Sequence, residues 1–186
     1  DDSSTEAGAA ADTGEDDMPE GEGLDIDAIL AADLAACEAA PTGDPIKVGM
    51  AMDFSDVVGF VDIPGSNLVP YIAELANCNG GINGRPVEVQ VAEVGDDAAL
   101  AAQELLDWGA HFLIGPPFAD FALPILQATG GNVPLFVAAS TEPTLADASI
   151  NSWLVTFDDN LMAAASSQWA LDNGITRAII FTEGEG

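Results

Sequence analysis

The sequence predicts an α/β fold with a parallel, doubly wound sheet. Apolar runs of strand length alternate along the chain with amphipathic stretches of helix length, and Gly, Pro, Asn or Asp stand at most boundaries. Such alternation produces βαβ units, whose strands are parallel and whose helices cover both faces of the sheet. The length of 186 residues and the 48% of hydrophobic residues are enough for one domain with its own core.

Six strands are predicted, at residues 46–52, 87–94, 112–114, 133–137, 153–157 and 178–181. A long loop over residues 53–64 follows the first strand, and a helix then runs to about residue 77. Pro70 must stand near the first turn of that helix or kink it. Later helices are predicted at about residues 98–108, 118–129 and 160–173, with Gly109 and Gly174 as stops.

The net charge excludes two classes of partner. The chain carries 32 acidic residues and 3 basic ones, so its net charge is −29. Nucleic acids and anionic membranes attract clustered cations, whereas Lys47, Arg85 and Arg177 are scattered along the chain. No apolar run reaches the roughly 18 residues that a spanning helix needs, so we expect no nucleic-acid partner and no membrane span in this chain.

The motifs of several enzyme classes do not fit. The first strand is not followed by the glycine pattern of dinucleotide-binding folds or by a phosphate-binding loop. No serine stands on a Gly-x-Ser-x-Gly elbow, and Arg177 is the only cation late in the sheet, which disfavours a receiver domain. His111 stands at the amino end of a strand without a second His or a Cys nearby, so we interpret it as structural. We expect no enzyme, no metal site and no cofactor.

The first 23 residues differ in composition from the rest. They consist mainly of Asp, Glu, Gly, Ala, Ser and Thr and contain no aromatic residue. We predict a disordered acidic tail at residues 1–23, since such a segment cannot bury enough apolar surface to offset its ordering entropy. The alternative is a calcium-binding run, but the alternation of Asp or Asn with Gly and a closing Glu is absent. An Ala-rich leader helix and a linker are predicted at residues 24–45.

A set of motifs in a fixed order resembles one known family. The most specific is the run NGGINGRPVEV at residues 79–89, and it is followed by GDD, AAQELL, FLIGPP, VPL and AAST, at residues 95–97, 101–106, 112–117, 133–135 and 138–141. This order resembles the extracytoplasmic solute-binding proteins of ABC transporters. The resemblance is to the branched-chain amino acid (Leu/Ile/Val) binding group, which has the type I periplasmic-binding-protein fold.

The resemblance implies a two-lobe protein about twice this length, with a ligand in the cleft between the lobes. Residues 46–157 would form the N-terminal α/β ligand-binding lobe, and residues 158–186 would start a truncated second lobe. The chain is therefore expected to be an N-terminal fragment. A chain that starts with Asp rather than Met is also expected to have been processed, so the absence of a signal peptide fits an extracytoplasmic protein of the periplasm or a cell-surface lipoprotein.

The resemblance implies a function without chemistry. The protein would capture a small polar solute, such as an amino acid or an amide, and deliver it to an ABC permease in the membrane by hinge closure of its lobes. Two alternatives stay open. The same fold can serve as the extracellular ligand-sensing domain of a receptor, and a complete flavodoxin-like domain is the third hypothesis.

The candidate ligand-binding residues follow three strands. Ligands of open α/β sheets bind beyond the carboxyl ends of the strands, and Gly-Pro-Pro at 115–117 leaves backbone amides free to hold a carboxylate. By resemblance, the Ala-Ser-Thr segment and the loop near Ala119 hold the ligand's carboxylate and amino group. The candidates are Asp53, Phe54, Ser55, Phe60, Pro117, Phe118, Ala119, Asp120, Ala139, Ser140 and Thr141.

Two features of these candidates leave alternatives open. Ala119 replaces a hydroxyl residue that is usual in the family, and Asp120 adds a negative charge, which favours an amide, a small polar solute or a cationic ligand over a carboxylate. Asp120 could instead cap the following helix. Phe54 and Phe60, in the predicted loop, could form the lip of the cleft or pack within the loop.

The two cysteines are predicted to form a disulfide. A helix in a βα unit runs back along its strand, so Cys78 lies near the start of the first strand, where the leader helix brings Cys37. In an extracytoplasmic chain with two cysteines, one bridge is the default. The alternative is a pair of buried thiols.

Overall fold

A computed structural model describes residues 25–37 and 41–181 of the chain. Five parallel strands form one sheet in the order β2-β1-β3-β4-β5. The strands are β1 (Ile46–Met52), β2 (Val87–Glu93), β3 (Phe112–Gly115), β4 (Leu135–Val137) and β5 (Ser152–Leu154). The helices are α1 (Ile26–Leu30), α2 (Gly59–Cys78), α3 (Ala98–Trp108), α4 (Ala119–Ala128), α5 (Thr144–Asp147) and α6 (Asp159–Asp172), with a 3-10 helix at Leu34–Ala36. The predicted α/β class and the parallel sheet are confirmed.

Two predicted elements are wrong or incomplete, and one short helix was not predicted. Residues 178–181 are not a strand: they are exposed and pair with no other described segment, and a strand needs a partner for its backbone groups. The leader helix is interrupted, so that only α1 and the short 3-10 helix form within the described part of residues 24–40. The short helix α5 was not predicted, because its four residues are too few to show a period.

Helix α2 starts earlier than predicted and contains both Pro64 and Pro70. Its start is set by Ser55, whose carbonyl oxygen accepts the N–H of Gly59 (2.8 Å) and whose Oγ accepts the N–H of Val58 (3.3 Å). Proline removes one helical hydrogen bond and crowds the preceding turn. Pro64 lies in the second turn of α2 and is exposed. The carbonyl one turn earlier, which receives no N–H from Pro64, can therefore accept a hydrogen bond from water.

The strand order places α2 apart from the later helices. The chain moves from β1 to β2 in one direction and then from β2 back past β1 to β3. Right-handed crossovers therefore put α2 on one face of the sheet and α3, α4 and α5 on the other. The main core cluster agrees, since it joins residues of α3, α4 and α5 to the sheet and contains none from α2. The direction in which successive crossovers move across the sheet reverses between β1 and β3. Open α/β sheets bind ligands at such a point.

The amino end of the sheet is held by side chains that bond to backbone groups. Asn77, near the end of α2, accepts the N–H of Val87 (2.7 Å) and donates to its carbonyl (2.8 Å). His111 Nδ1 accepts the N–H of Lys47 (2.9 Å), and the N–H of His111 donates to the Lys47 carbonyl (2.9 Å). Both contacts of His111 join the residue before β3 to β1, which agrees with the structural role predicted for this residue.

Two of the basic side chains are used at this same amino end. Lys47 Nζ donates to the Trp108 carbonyl (2.9 Å) and lies 4.9 Å from the centroid of the Trp108 ring. Arg85 donates to the carbonyls of Asp44 (2.8 Å) and Pro45 (3.1 Å). Both cationic side chains therefore bind backbone carbonyls at the amino end of the sheet.

Cys37 and Cys78 form the predicted disulfide. It joins the segment after the 3-10 helix to the last residue of α2, and the two Cα atoms are 5.0 Å apart. Ile29 of α1 is buried against Leu75 and Ala76 of α2. The leader segment is therefore fastened to the outer side of α2 by one covalent bond and a small apolar cluster.

The predicted acidic tail at residues 1–23 lies outside the described residues. So does the end of the chain from residue 182 onward. In the part that the structure describes, none of the helices is both long and apolar enough to cross a membrane.

Candidate functional site

The candidate site lies at the carboxyl edge of the sheet. β1, β3 and β4 are parallel and neighbouring, so the segments that follow Met52, Gly115 and Val137 meet at the same edge. α4 begins at Ala119, three residues beyond Pro116, while the segment after β4 stays irregular until α5. These segments are short, so the chain stays at the carboxyl edge of the sheet until the next helix begins. Their side chains are therefore held beside the strand ends.

The segments after β3 and β4 line an open cavity of about 290 Å³. Its lining residues are Pro117, Phe118, Ala119, Asp120, Ala139, Ser140, Thr141, Glu142 and Asp159. This volume is near the lower end of the range for small-molecule sites, which is about 300–1,000 Å³. Seven of the eleven candidates from the sequence therefore share one cavity.

Helix α4 presents its amino terminus to this cavity without a side-chain cap. Its N-cap residue is Phe118, and no side chain bonds to the first turn. Asp120 is the second residue of the helix and does not cap it, so the capping role considered for Asp120 is wrong. The first N–H groups of a helix lack partners inside the helix, and those of Ala119 and Asp120 are therefore available at the cavity.

The segment after β4 supplies one buried hydroxyl and one acidic side chain. Ser140 is buried, and its Oγ accepts the N–H of Glu142 (3.3 Å). The Glu142 carboxylate accepts the N–H of Thr144 (3.0 Å), next to the start of α5. Ser140 thus fixes the shape of the segment, and Glu142 lines the cavity.

Glu142 and Asp159 line the cavity but were not among the candidates. Asp159 begins α6, and its N–H donates to the carbonyl of Thr141 (2.8 Å). The chain therefore returns to the site after β5. The only sequence signal for Glu142 is its position next to Thr141. Asp159 could have been found only from the expected crossing of the chain near residues 157–159.

The remaining four candidates lie at the same edge but do not line this cavity. Asp53 is buried at the end of β1, and its carboxylate accepts the N–H of Ser55 (2.7 Å). Phe54 is 37% exposed. Phe60 is 74% exposed and stands in the first turn of α2, so its predicted place in a loop is wrong. Whether these four residues contact a ligand stays a prediction.

Asp62 forms a second buried carboxylate beside Asp53. Asp62 lies in the first turn of α2, and its Oδ2 accepts the N–H of Asp53 (2.7 Å). Burial raises the pKa of Asp62 above its ordinary value of 3.8, the hydrogen bond from the Asp53 N–H lowers it, and the negative charge of Asp53 raises it further. The segment after β1 therefore holds two buried carboxyl groups, and the charge of Asp53 opposes the ionisation of Asp62.

The groups that line the cavity can bind a small polar ligand. Within residues 25–37 and 41–181, no group of three or more His, Cys, Asp or Glu side chains is placed to hold a metal ion. The cavity offers free helix N–H groups as donors and carboxylates as acceptors, which is what a small polar ligand requires.

The comparisons with known proteins agree with this geometry. The model of the family described as "Periplasmic binding protein" matches residues 45–185. The chain belongs to the periplasmic binding protein family. No curated protein is similar enough to match the chain.

Solved structures of this family share the fold of the lobe. A substrate-binding protein of a branched-chain amino acid transporter from Streptococcus pneumoniae, solved with isoleucine, is 20% identical, with a TM-score of 0.58. The aligned region covers 62% of this chain and 35% of that one. An ABC transporter solute-binding protein from Rhodopseudomonas palustris, solved with 3,4-dihydroxybenzoic acid, is 22% identical, with a TM-score of 0.60, and the coverage is 72% and 38%.

A third neighbour is an ABC transporter substrate-binding protein from Desulfitobacterium hafniense in complex with Leu. It is 22% identical, its TM-score is 0.59, and 70% of this chain and 40% of that one are covered. The chain thus spans between 35% and 40% of these three neighbours. At such identities the likeness establishes the type I periplasmic-binding-protein lobe and leaves the ligand open.

Proposed function

We propose that the chain is the ligand-binding part of an extracytoplasmic solute-binding protein that serves an ABC transporter. It captures a small polar solute, such as an amino acid or an amide, and delivers it to a membrane permease without chemical change. The observation that carries the proposal is the cavity of about 290 Å³ where the segments after β3 and β4 meet, together with the family match over residues 45–185.

The proposed mechanism is closure of two lobes around the ligand. Residues 46–157 supply one wall, and residues 158–186 begin the second lobe. The contact between the Asp159 N–H and the Thr141 carbonyl (2.8 Å) supports this division, because it brings the start of α6 to the rim of the cavity. A single wall buries only part of a small ligand, whereas tight sites bury about 70–90% of it.

The proposal is tested by calorimetry on the 186-residue chain and on the full product of its gene. We expect the full product to bind at least one amino acid, amide or amine with a dissociation constant near or below about 1 μM, and the chain alone to bind it at least about 100-fold more weakly. Equal binding by both would contradict the two-wall mechanism. No binding by the full product across the panel would contradict the proposed function itself.

A further inference from the structure

The charged side chains that line the cavity all carry the same sign. Asp120, Glu142 and Asp159 line it, and no Lys, Arg or His is among the lining residues. Asp120 and Asp159 are exposed, and Glu142 is half-buried. The ligand-facing wall therefore holds three carboxylates without a cationic side chain.

The basic residues of the chain do not neutralise this wall. Lys47 and Arg85 are hydrogen bonded to backbone carbonyls at the opposite, amino end of the sheet. Arg177 is exposed in the segment that follows α6 and is not among the lining residues. A ligand that enters the cavity therefore faces carboxylates that no basic side chain of the lining neutralises.

Helix dipoles explain the carboxylates only in part. Asp120 lies in the first turn of α4 and Asp159 in the first turn of α6, where the positive end of a helix favours an acidic side chain. Each helix end contributes about half of one positive charge. Two such ends offset about one of the three negative charges, so the field at the cavity stays negative.

Asp120 is the carboxylate that most directly opposes an anionic ligand. It lies on the uncapped amino terminus of α4, which is where a ligand carboxylate would seek the free N–H groups. A carboxylate held there would be within a few ångströms of a like charge, and closure of a cleft strengthens such repulsion by removing water. Glu142, in contrast, already accepts the N–H of Thr144 (3.0 Å).

We infer that the ligand of this cavity is an organic cation, such as an amine or a guanidinium compound, and that Asp120 sets this preference. The inference rests on the proposed function and deepens it. A positively charged nitrogen donates to the carboxylates of the wall, and the apolar part of the ligand lies against Pro117 and Phe118. The ligand differs from the isoleucine, leucine and dihydroxybenzoic acid of the structural neighbours in carrying a net positive charge.

The test is a calorimetric titration of the full gene product with putrescine, leucine and 3,4-dihydroxybenzoate. We expect putrescine to bind at least about tenfold more tightly than the other two, and added salt to reduce the difference. Asp120→Asn should weaken putrescine about tenfold and strengthen dihydroxybenzoate. Glu74→Gln removes the same charge from an exposed position on α2 and should change neither affinity.

Each outcome decides a different claim. If leucine or dihydroxybenzoate binds most tightly and Asp120→Asn changes nothing, the inference fails and the proposed function stands. If the full product binds none of these and no other small solute, both fail. Melting curves of both variants keep the result interpretable, and Asp159→Asn is the second variant should Asp120→Asn melt at a lower temperature.

Discussion

The two ends of the sheet are built in opposite ways. At the amino end, Asn77, Lys47 and Arg85 direct their donors to backbone carbonyls, and a disulfide lies nearby at the end of α2. At the carboxyl end, the described residues place carboxyl groups together without a cationic side chain among them. Asp53 and Asp62 are buried there, and other carboxyl groups line the cavity beyond β3 and β4. Contacts at the amino end stabilise the fold, whereas the carboxyl end, which we propose binds the ligand, holds like charges that do not.

The largest expected effect comes from the disulfide near the amino end. Replacing both Cys37 and Cys78 by Ser should lower the free energy of unfolding by about 4 kcal/mol, because the bridge spans 41 residues and restricts the unfolded chain. Urea denaturation followed by circular dichroism measures the change. The wild type in excess reductant is the matched control and should unfold at the same urea concentration as the variant. An unchanged midpoint would show that the bridge contributes nothing.

A smaller loss is expected from Lys47. Lys47→Met keeps much of the side-chain packing but removes the hydrogen bond to the Trp108 carbonyl and the contact with the Trp108 ring. We expect the free energy of unfolding to fall by roughly 1–2 kcal/mol. The control is Arg177→Met, which removes the same charge from an exposed position and should change stability by less than about 0.5 kcal/mol. Equal effects of the two variants would mean that net charge, and not the amino-end contact, matters.

The smallest effect is expected at the carboxyl end, and its sign is opposite. Because the pKa of Asp62 is raised in the folded state, ionisation of Asp62 destabilises the fold. Its relative contribution is fully favourable below pH 3.8 and is lost as the pH rises through the folded-state pKa. Asp62→Asn keeps an oxygen to accept the Asp53 N–H, so we expect a more stable protein at pH 7 and no difference from the wild type at low pH.

The measurement for Asp62 is the difference in urea midpoint between variant and wild type as a function of pH. Taking the difference cancels the titration of the other acidic residues. Asp56→Asn removes a charge from the same segment at an exposed position and serves as the control. A gain in stability that does not depend on pH, or one that Asp56→Asn reproduces, would contradict the role given to burial.

The fold was largely predictable because its elements have clear periods and stops. β1 is a seven-residue run whose last five residues are buried, and α3 has both its cap at Asp97 and its left-handed Gly109 where the sequence indicates them. The start of α2 was missed because a proline such as Pro64 is disfavoured in the interior of a helix. The hydrogen bonds of Ser55 that start the helix produce no pattern in the sequence. Residues 178–181 show that an apolar run alone does not make a strand.

The site was predictable to the extent that it follows strand ends. Ala119, Asp120 and Ser140 come directly after β3 and β4, so the parallel topology alone brings them together. Asp159 comes from a helix after β5, and its place at the cavity depends on a tertiary hydrogen bond that no local pattern records. The buried pairing of Asp53 with Asp62 was missed for the same reason, since it depends on where α2 begins.

The hydrogen bond between the Asp159 N–H and the Thr141 carbonyl also joins the first residue of α6 to the segment after β4. α6 has 14 residues, which gives it a length of about 21 Å. A tilt of about 10° at its base moves the far end by about 4 Å, because a straight helix of about 21 Å turns as a rigid rod. We therefore expect a small adjustment of the Thr141 segment to give a larger displacement at Asn173, where a spectroscopic label stands too far from the cavity to obstruct a ligand.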